Sequence, residues 1–275
     1  MKGIPYTVFG ATGFIGDCLA NDLRRRGRDV LTPTRDEPVV PGNFLGHVIY
    51  CIGLTADFRN RPFETVDAHV GRLRDILERG HFSSFVYLSS TRVYKNAKST
   101  DEDTALVLCP ADPDDLYNAS KIMGEALCLG CNRPGTKVVR LSNVYGADIA
   151  SENFLSSVLR DAVTKGRVVL RTAPDSTKDY IAIEDVVAML PQIAERGESR
   201  IYNLANGRNT THRELVEGVR RITGCEVVYE PGTPKVEYPR ISIRRLRDEF
   251  NFAPAHVMDH LGSLVEKMQD KVRAA

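Results

Sequence analysis

No apolar run in this 275-residue chain approaches the roughly 18 residues that a membrane-spanning helix requires; the longest lies around Val48–Leu54, VIYCIGL. The amino terminus, MKGIPYTVFGATG, meets glycines where an export signal would continue its apolar stretch, so neither an anchor nor secretion is expected. An excess of one charge is missing as well. The 37 basic and 36 acidic residues leave a formal net charge of +1 and are spread along the chain. That distribution offers no basic stripe to nucleic acid and no block suited to a membrane surface, which leaves a small molecule as the expected partner. A disulfide framework is absent: Cys18, Cys51, Cys109, Cys128, Cys131 and Cys225 follow no regular spacing, as expected of reduced thiols in a cytoplasmic protein. Cys128 and Cys131 make one CxxC, but no second pair completes a zinc site, and they read as packing residues at a helix end. His256 and His260 have ligand spacing without the glutamate of HExxH and read as solvent-facing, so no metal site is expected. No internal repeat is present.

What the chain does have is 42% hydrophobic residues, enough to bury a full core, and a regular alternation of elements in its first half. Apolar runs at 4–9, 29–31, 47–52, 84–90 and 137–142 read as strands, several without polar alternation and therefore buried on both faces. Helical spacing over Phe14–Arg26, Phe63–Arg79 and Leu116–Leu129 separates them, which predicts a right-handed, doubly wound parallel α/β sheet. The segment 31–47 carries three prolines and no helical period, so the helix that usually follows the second strand is expected to be lost. Beyond Asn143 the pattern loosens. Helices are expected at Asn153–Lys165 and Thr211–Thr223, a strand at Val168–Arg171, and a short strand then a helix within 240–254, while the segments 179–190 and 201–205 between them are given no element type. The predicted division is a dinucleotide-binding unit over 1–145, rejoined by 172–205, with 146–171 and 206–275 as a small cap over the carboxyl edge of the sheet.

Three stretches carry chemistry. GATGFIG, Gly10–Gly16, follows the first strand and opens the first helix; Gly10, Thr12, Gly13, Phe14, Ile15 and Gly16 there would bring backbone N–H groups and a positive helix end against a pyrophosphate. At the end of the second strand an acid would accept from a ribose 2′-hydroxyl, whereas a base would pair with a 2′-phosphate. Thr34 and Arg35 stand there, which favours NADP, with Asp36 in the acid's role and NAD as the alternative. Finally, DDLYNASKIMGE puts Tyr117 and Lys121 one turn apart on a helix face, and Ser89 and Ser90 end the fourth strand, where a hydroxyl can donate to a substrate oxygen beside Tyr117.

With these motifs in order, followed by RLSNVYG, KDYIAIEDV and IYNLANG, the chain resembles the extended short-chain dehydrogenase/reductases of the NAD(P)-dependent epimerase/dehydratase group, which act mostly on nucleotide sugars. The resemblance implies a Rossmann-like sheet with a small C-terminal substrate-binding cap, and a homodimer formed through paired helices. It further implies Tyr117 as acid/base, Lys121 holding the nicotinamide ribose and lowering the phenol pKa, and Ser90 orienting the substrate. A phenol with a reference pKa of about 10 needs a neighbouring cation to work at neutral pH. Asn143 matches a residue on the substrate side of the cleft in relatives, with a turn-forming asparagine as the alternative; in RISIRR, Arg240 or Arg244 could meet a diphosphate, Arg240 being preferred, with a solvated basic face as the alternative.

The departures are informative too. His47 opens the third strand where relatives carry an aspartate that meets adenine, and His69 falls near a position often held by asparagine. Thr91 and Arg92 follow Ser90 where sugar dehydratases place an Asp–Glu pair, which disfavours dehydration and puts Thr91 among the substrate contacts. The chain is also short for the group, with the trimming expected in the cap. The leading expectation is therefore an NADPH-dependent reductase of a nucleotide-linked 4-keto-6-deoxy sugar. Two alternatives remain: an epimerase with tightly bound NAD, and a non-catalytic dinucleotide-sensing regulator, against which the intact Ser90, Tyr117 and Lys121 speak.

Overall fold

The computed structural model describes residues 3–34, 37–38, 40–55, 57–146 and 153–274. Six parallel strands form the central sheet in the order β2-β1-β3-β4-β5-β9, with β1 Tyr6–Phe9, β2 Val30–Leu31, β3 His47–Tyr50, β4 Ser84–Ser90, β5 Thr136–Leu141 and β9 Ile201–Leu204. Consecutive strand residues are buried on opposite faces. Val8, Ile49, Val86 and Val139 join one core cluster, while their neighbours Phe9, Tyr50, Tyr87 and Val138 join another. That two-sided burial is why the strands read as unbroken apolar runs.

Helices α1 (Phe14–Arg25) and α6 (Ile183–Arg196) cover the first face through Leu19, Leu23, Val186 and Leu190. The second face is covered by α3 (Arg72–Arg79) and α4 (Asp115–Gly130) through Leu73, Ile76, Leu77 and Cys128. Cys128 is fully buried and Cys131 caps the end of α4, as the sequence predicts. The helix expected over Phe63–Arg79 is present but not uniform. It runs as α2 (Pro62–Val66), a wide π turn over Asp67–Gly71, and α3. The hydroxyls of Tyr50 and Tyr87, from β3 and β4, donate to the carbonyls of Ala68 and His69 in that turn, at 2.6 and 3.2 Å.

After the two-residue β2, no helix or named strand occurs among the described residues of 32–46. Among the described residues there is thus no helix after β2, as expected, and no strand outside β2, where the common doubly wound order begins one strand further out.

The rest of the chain builds β6 (Asn143–Tyr145), β8 (Thr177–Ala182) and β10 (Asn209–Thr211) as one small sheet, and β7 (Arg167–Leu170) with β11 (Glu226–Tyr229) as another. Helices α5 (Phe154–Lys165), α7 (His212–Thr223) and α9 (Val257–Ala274) pack over a separate core that contains Leu159, Val216, Leu261 and Val265. Thr211 caps α7 with a reciprocal bond to Glu214, and Asn153 caps α5. The tail departs from expectation: 240–243 is not a strand. Ile241 and Ile243 instead enter the core of the central sheet, followed by α8 (Arg244–Phe250), which Asn251 ends with a φ of 53°. His256 and His260 are half-buried rather than solvent-facing, bonded to Thr210 and Tyr145. Among the described residues no group of three or more His, Cys, Asp or Glu could hold a metal ion, and no helix is long and apolar enough to cross a membrane.

Candidate active site

The carboxyl ends of β1, β3, β4 and β5 open onto a cavity of about 730 Å³. Its wall begins at the glycine-rich turn. Gly10 has a φ of 82°, and a Cβ there would stand 2.9 Å from the backbone of Cys51 and Ile52. At Gly16 a Cβ would meet the Gly10 carbonyl oxygen at 2.2 Å, so helix α1 can approach the turn this closely only without a side chain. Gly13 is the N-cap of α1, in extended backbone with no side-chain cap, and Gly13, Phe14, Ile15 and Gly16 line the cavity. A positive helix end with uncapped N–H groups beside a close backbone approach fits a dinucleotide pyrophosphate. Thr12 is exposed and is not among the lining residues.

At the end of β2, the Thr34 N–H donates to Glu37 Oε2 at 3.1 Å, so a carboxylate does stand near the strand end, three positions beyond Thr34. Arg35 and Asp36, on which the NADP reading turned, lie outside the described residues. A second cavity of about 510 Å³ adjoins this edge, lined in part by Leu31, Thr32, Glu37 and Phe44. His47 takes no part. It sits at the amino end of β3, Nδ1 2.8 Å from Ser84 Oγ, on the opposite edge of the sheet from the glycine turn.

Helix α4 carries Tyr117 and Lys121 into the cavity floor, each only 4% exposed. Burial pushes the Tyr117 phenol pKa up, and hydrogen bonds with Thr55 and Ser90 and the charge of Arg92 pull against it. Ser90 is thus beside Tyr117, as expected from the sequence, while Thr55, just past β3, went unread; its signal was a hydroxyl shortly beyond the carboxyl end of a central strand. Lys121 Nζ donates to the Leu88 carbonyl at 2.9 Å, and burial lowers its pKa to about 7. The resemblance made Lys121 the cation acting on the phenol. In the structure the guanidinium over the Tyr117 ring belongs to Arg92, 4.9 Å from the centroid.

His69 is fully buried and edge-on to Tyr117, with ring centroids 5.3 Å apart. Its Nε2 accepts from the Leu54 N–H at 3.2 Å, which leaves Nδ1 to donate to Ser120 Oγ at 2.8 Å. Ser120 Oγ in turn donates to the Tyr117 carbonyl at 2.9 Å. One neutral imidazole therefore ties the loop after β3 to the helix that bears Tyr117. Burial, reinforced by Lys121, lowers its pKa to about 2.

On the far wall, Asn143 Nδ2 donates to the Asp179 carbonyl at 2.8 Å, and Asn143, Thr91, Lys178 and Tyr180 line the cavity. Asp179 is the one carboxylate residue among its described lining residues, and it accepts from the N–H groups of Asn206 and Gly207 at 2.9 and 2.7 Å. Arg240 is not brought to the cavity; its guanidinium donates to the Gly207 carbonyl, and its neighbours Pro239 and Ile241 form the lining there.

A family model described as the NAD dependent epimerase/dehydratase family matches residues 45–205. A UDP-glucose 4-epimerase of Streptomyces lividans is 26% identical over 316 residues, covering 96% of this chain and 90% of that protein. Among solved structures, the NAD dependent NDP-hexosamine 5,6-dehydratase TunA, involved in tunicamycin biosynthesis, has a TM-score of 0.79 at 20% identity, covering 98% of both chains. RMD from Pseudomonas aeruginosa, complexed with NADPH, has a TM-score of 0.78 at 22% identity, covering 96% of this chain and 99% of that one. At these identities the two structures speak for the fold.

Proposed function

The chain belongs to the NAD dependent epimerase/dehydratase family, enzymes of the short-chain dehydrogenase/reductase type, and on that footing we propose that it is an NADPH-dependent reductase of a keto group on a nucleotide-linked sugar, with a 4-keto-6-deoxy sugar as the substrate to test first. One observation carries the choice of reaction: beside Ser90 and Thr55 the cavity sets one phenol, Tyr117, and among the described lining residues no free carboxylate that could serve as a further acid or base. Expelling water from a sugar needs a further acid and base, and Asp179 is engaged by backbone donors. Reduction of a carbonyl needs one proton only.

Gly10–Gly16, with the N-terminus of α1, would hold the pyrophosphate, and Arg35 the 2′-phosphate of NADP. When bound, the nicotinamide supplies the hydride. Tyr117 protonates the oxygen of the reduced carbon, Ser90 orients that oxygen, Lys121 meets the nicotinamide ribose, and Thr91 and Asn143 contact the sugar side. Exposed Phe63, Val66 and Met123, on the adjoining helices α2 and α4, support a homodimer through paired helices, to be checked by its mass in solution.

An epimerase with tightly held NAD is the second reading. Glu37, at the end of β2, favours it as a carboxylate within reach of a ribose, as do the epimerases among the relatives. The deciding experiment mixes purified protein with NADPH and a 4-keto-6-deoxy nucleotide sugar. Stoichiometric loss of reduced-nicotinamide absorbance supports the reductase; nucleotide retained through purification, with sugar epimers interconverting and no net absorbance change, sinks it in favour of the epimerase.

A further inference from the structure

Arg92 lies two residues beyond Ser90, the last residue of β4, and itself lines the cavity. It lies in a 3₁₀ turn over Thr91–Tyr94, which Ser90 Oγ holds by accepting from the Arg92 N–H at 3.3 Å, while Val93 and Tyr94 anchor the turn in the core. The guanidinium carbon is 4.9 Å from the Tyr117 ring centroid and 5.2 Å from that of Phe58. Those two rings are themselves 5.4 Å apart and inclined at 51°, so the cation sits in an aromatic corner. Phe58 is 1% exposed and cannot swing away freely. Its ring also carries Arg59, but that guanidinium is occupied by Asp114 at 2.5 Å. Among the described residues no carboxylate pairs with Arg92.

Groups from several elements face Tyr117. His69, from the π turn, is neutral and turns a ring edge to it. Lys121, on the same helix, is directed at the Leu88 carbonyl. Tyr87, from β4, is buried and uncharged, its hydroxyl spent on the His69 carbonyl. Thr55 and Ser90 offer hydroxyls. Arg92, from the turn after β4, is the permanent cation of the set.

We propose that Arg92 is a positioning residue for proton transfer: it clamps the Tyr117 ring against Phe58 and stabilises the phenolate left when Tyr117 has given up its proton. This deepens the reductase reading and rests on its assignment of Tyr117 as the acid. In the step itself the O–H bond of Tyr117 breaks, its proton passes to the oxygen of the newly reduced carbon, and the negative charge moves onto the phenol. That charge spreads into the ring, where a guanidinium over the face attracts it more strongly than it attracts the neutral ring. The proton is then regained from solvent.

The test is a ¹³C NMR titration of the full-length protein labelled at the tyrosine ζ carbons, with Tyr117→Phe identifying the resonance. Replacing Arg92 by Met should raise the Tyr117 titration midpoint by about 1–3 pH units, the size of shift an adjacent opposite charge produces. Arg92→Lys should restore most of it, and the alkaline limb of the turnover profile should move in parallel. A resonance titrating at the same pH in wild type and Arg92→Met, or silent in both up to the alkaline limit of the fold, overturns the proposal. So does a lysine variant indistinguishable from the methionine one. Should Arg92→Met fail to fold, Arg92→Gln takes its place in the comparison. Because the titration uses no substrate, it can succeed where the sugar reduction assay fails, and the two failures stay distinct.

Discussion

Arg140 Nη2 donates to Glu125 Oε2 at 2.6 Å, and the two side chains are 3% and 4% exposed. Glu125 lies one turn beyond Lys121 on α4, and Arg140 lies on β5, so the pair bolts the Tyr117 helix to the sheet. The bolt is well satisfied. Ser89 donates to the other carboxylate oxygen at 2.5 Å, and Arg140 Nη1 donates to the Tyr94 hydroxyl at 2.6 Å and to the Glu102 carbonyl at 3.1 Å.

Breaking this pair from one side leaves a buried charge uncompensated, at a cost of about 3–5 kcal/mol. Glu125→Ala is expected to lose that much in urea unfolding, and the double variant with Arg140→Met to lose less than the two single losses combined. Additive losses would mean that the two groups do not act on one another.

Tyr117→Phe keeps the ring, its contacts with Phe58 and His69, and the seat of Arg92. Turnover should fall by about 10²–10⁴ while dinucleotide binding survives, because only the proton is removed. Undiminished turnover would locate the acid elsewhere.

Cofactor choice is tested at Arg35. Arg35→Glu replaces attraction to a 2′-phosphate with repulsion, so the KM for NADPH should rise far more than that for NADH. Equal losses for both, or a wild type that prefers NADH, would transfer the assignment to NAD.

His69 gives stability a dependence on pH with a definite sign. Its folded pKa, about 2, lies below the value of about 6.5 expected in the unfolded chain, so between those values the unfolded state binds the extra proton. Its contribution is whole above the unfolded pKa and drains away as the pH falls, at about 1.4 kcal/mol per unit. His212, lowered to about 4, and His47 act in the same direction. His69→Asn should flatten the decline of the urea midpoint between neutral and mildly acidic buffer; a slope equal to that of wild type would contradict this.

Much of the central sheet was legible because its causes are local. Residues such as Val8 and Phe9 are buried on opposite faces, which leaves an apolar run in the sequence, and three prolines after Leu31 announced a missing helix. Tyr117, Lys121 and Ser90 were legible for the same reason: a turn of helix and a strand end set their positions. Interactions between distant elements were not. Arg92 acquires meaning only because Phe58, from another loop, closes the corner beside Tyr117. His69 needed the Leu54 N–H to fix its tautomer, and Arg240 turned toward Gly207 through a segment whose pattern of isoleucines imitates a strand.

The π turn at Asp67–Gly71 also resets the angular phase of its helix. Each surplus residue rotates everything after it by about 100° relative to an unbroken helix. Upstream, Phe63 and Val66 look outward; downstream, Leu73, Ile76 and Leu77 look onto the sheet. The helix therefore carries two independent registers, keyed together by the phenols of Tyr50 and Tyr87 on the carbonyls of Ala68 and His69. Removing one residue within the turn would merge the registers, and either the imidazole would leave Tyr117 or the leucines would leave the sheet. Changes confined to the upstream segment, by contrast, can reshape the outer surface without disturbing either.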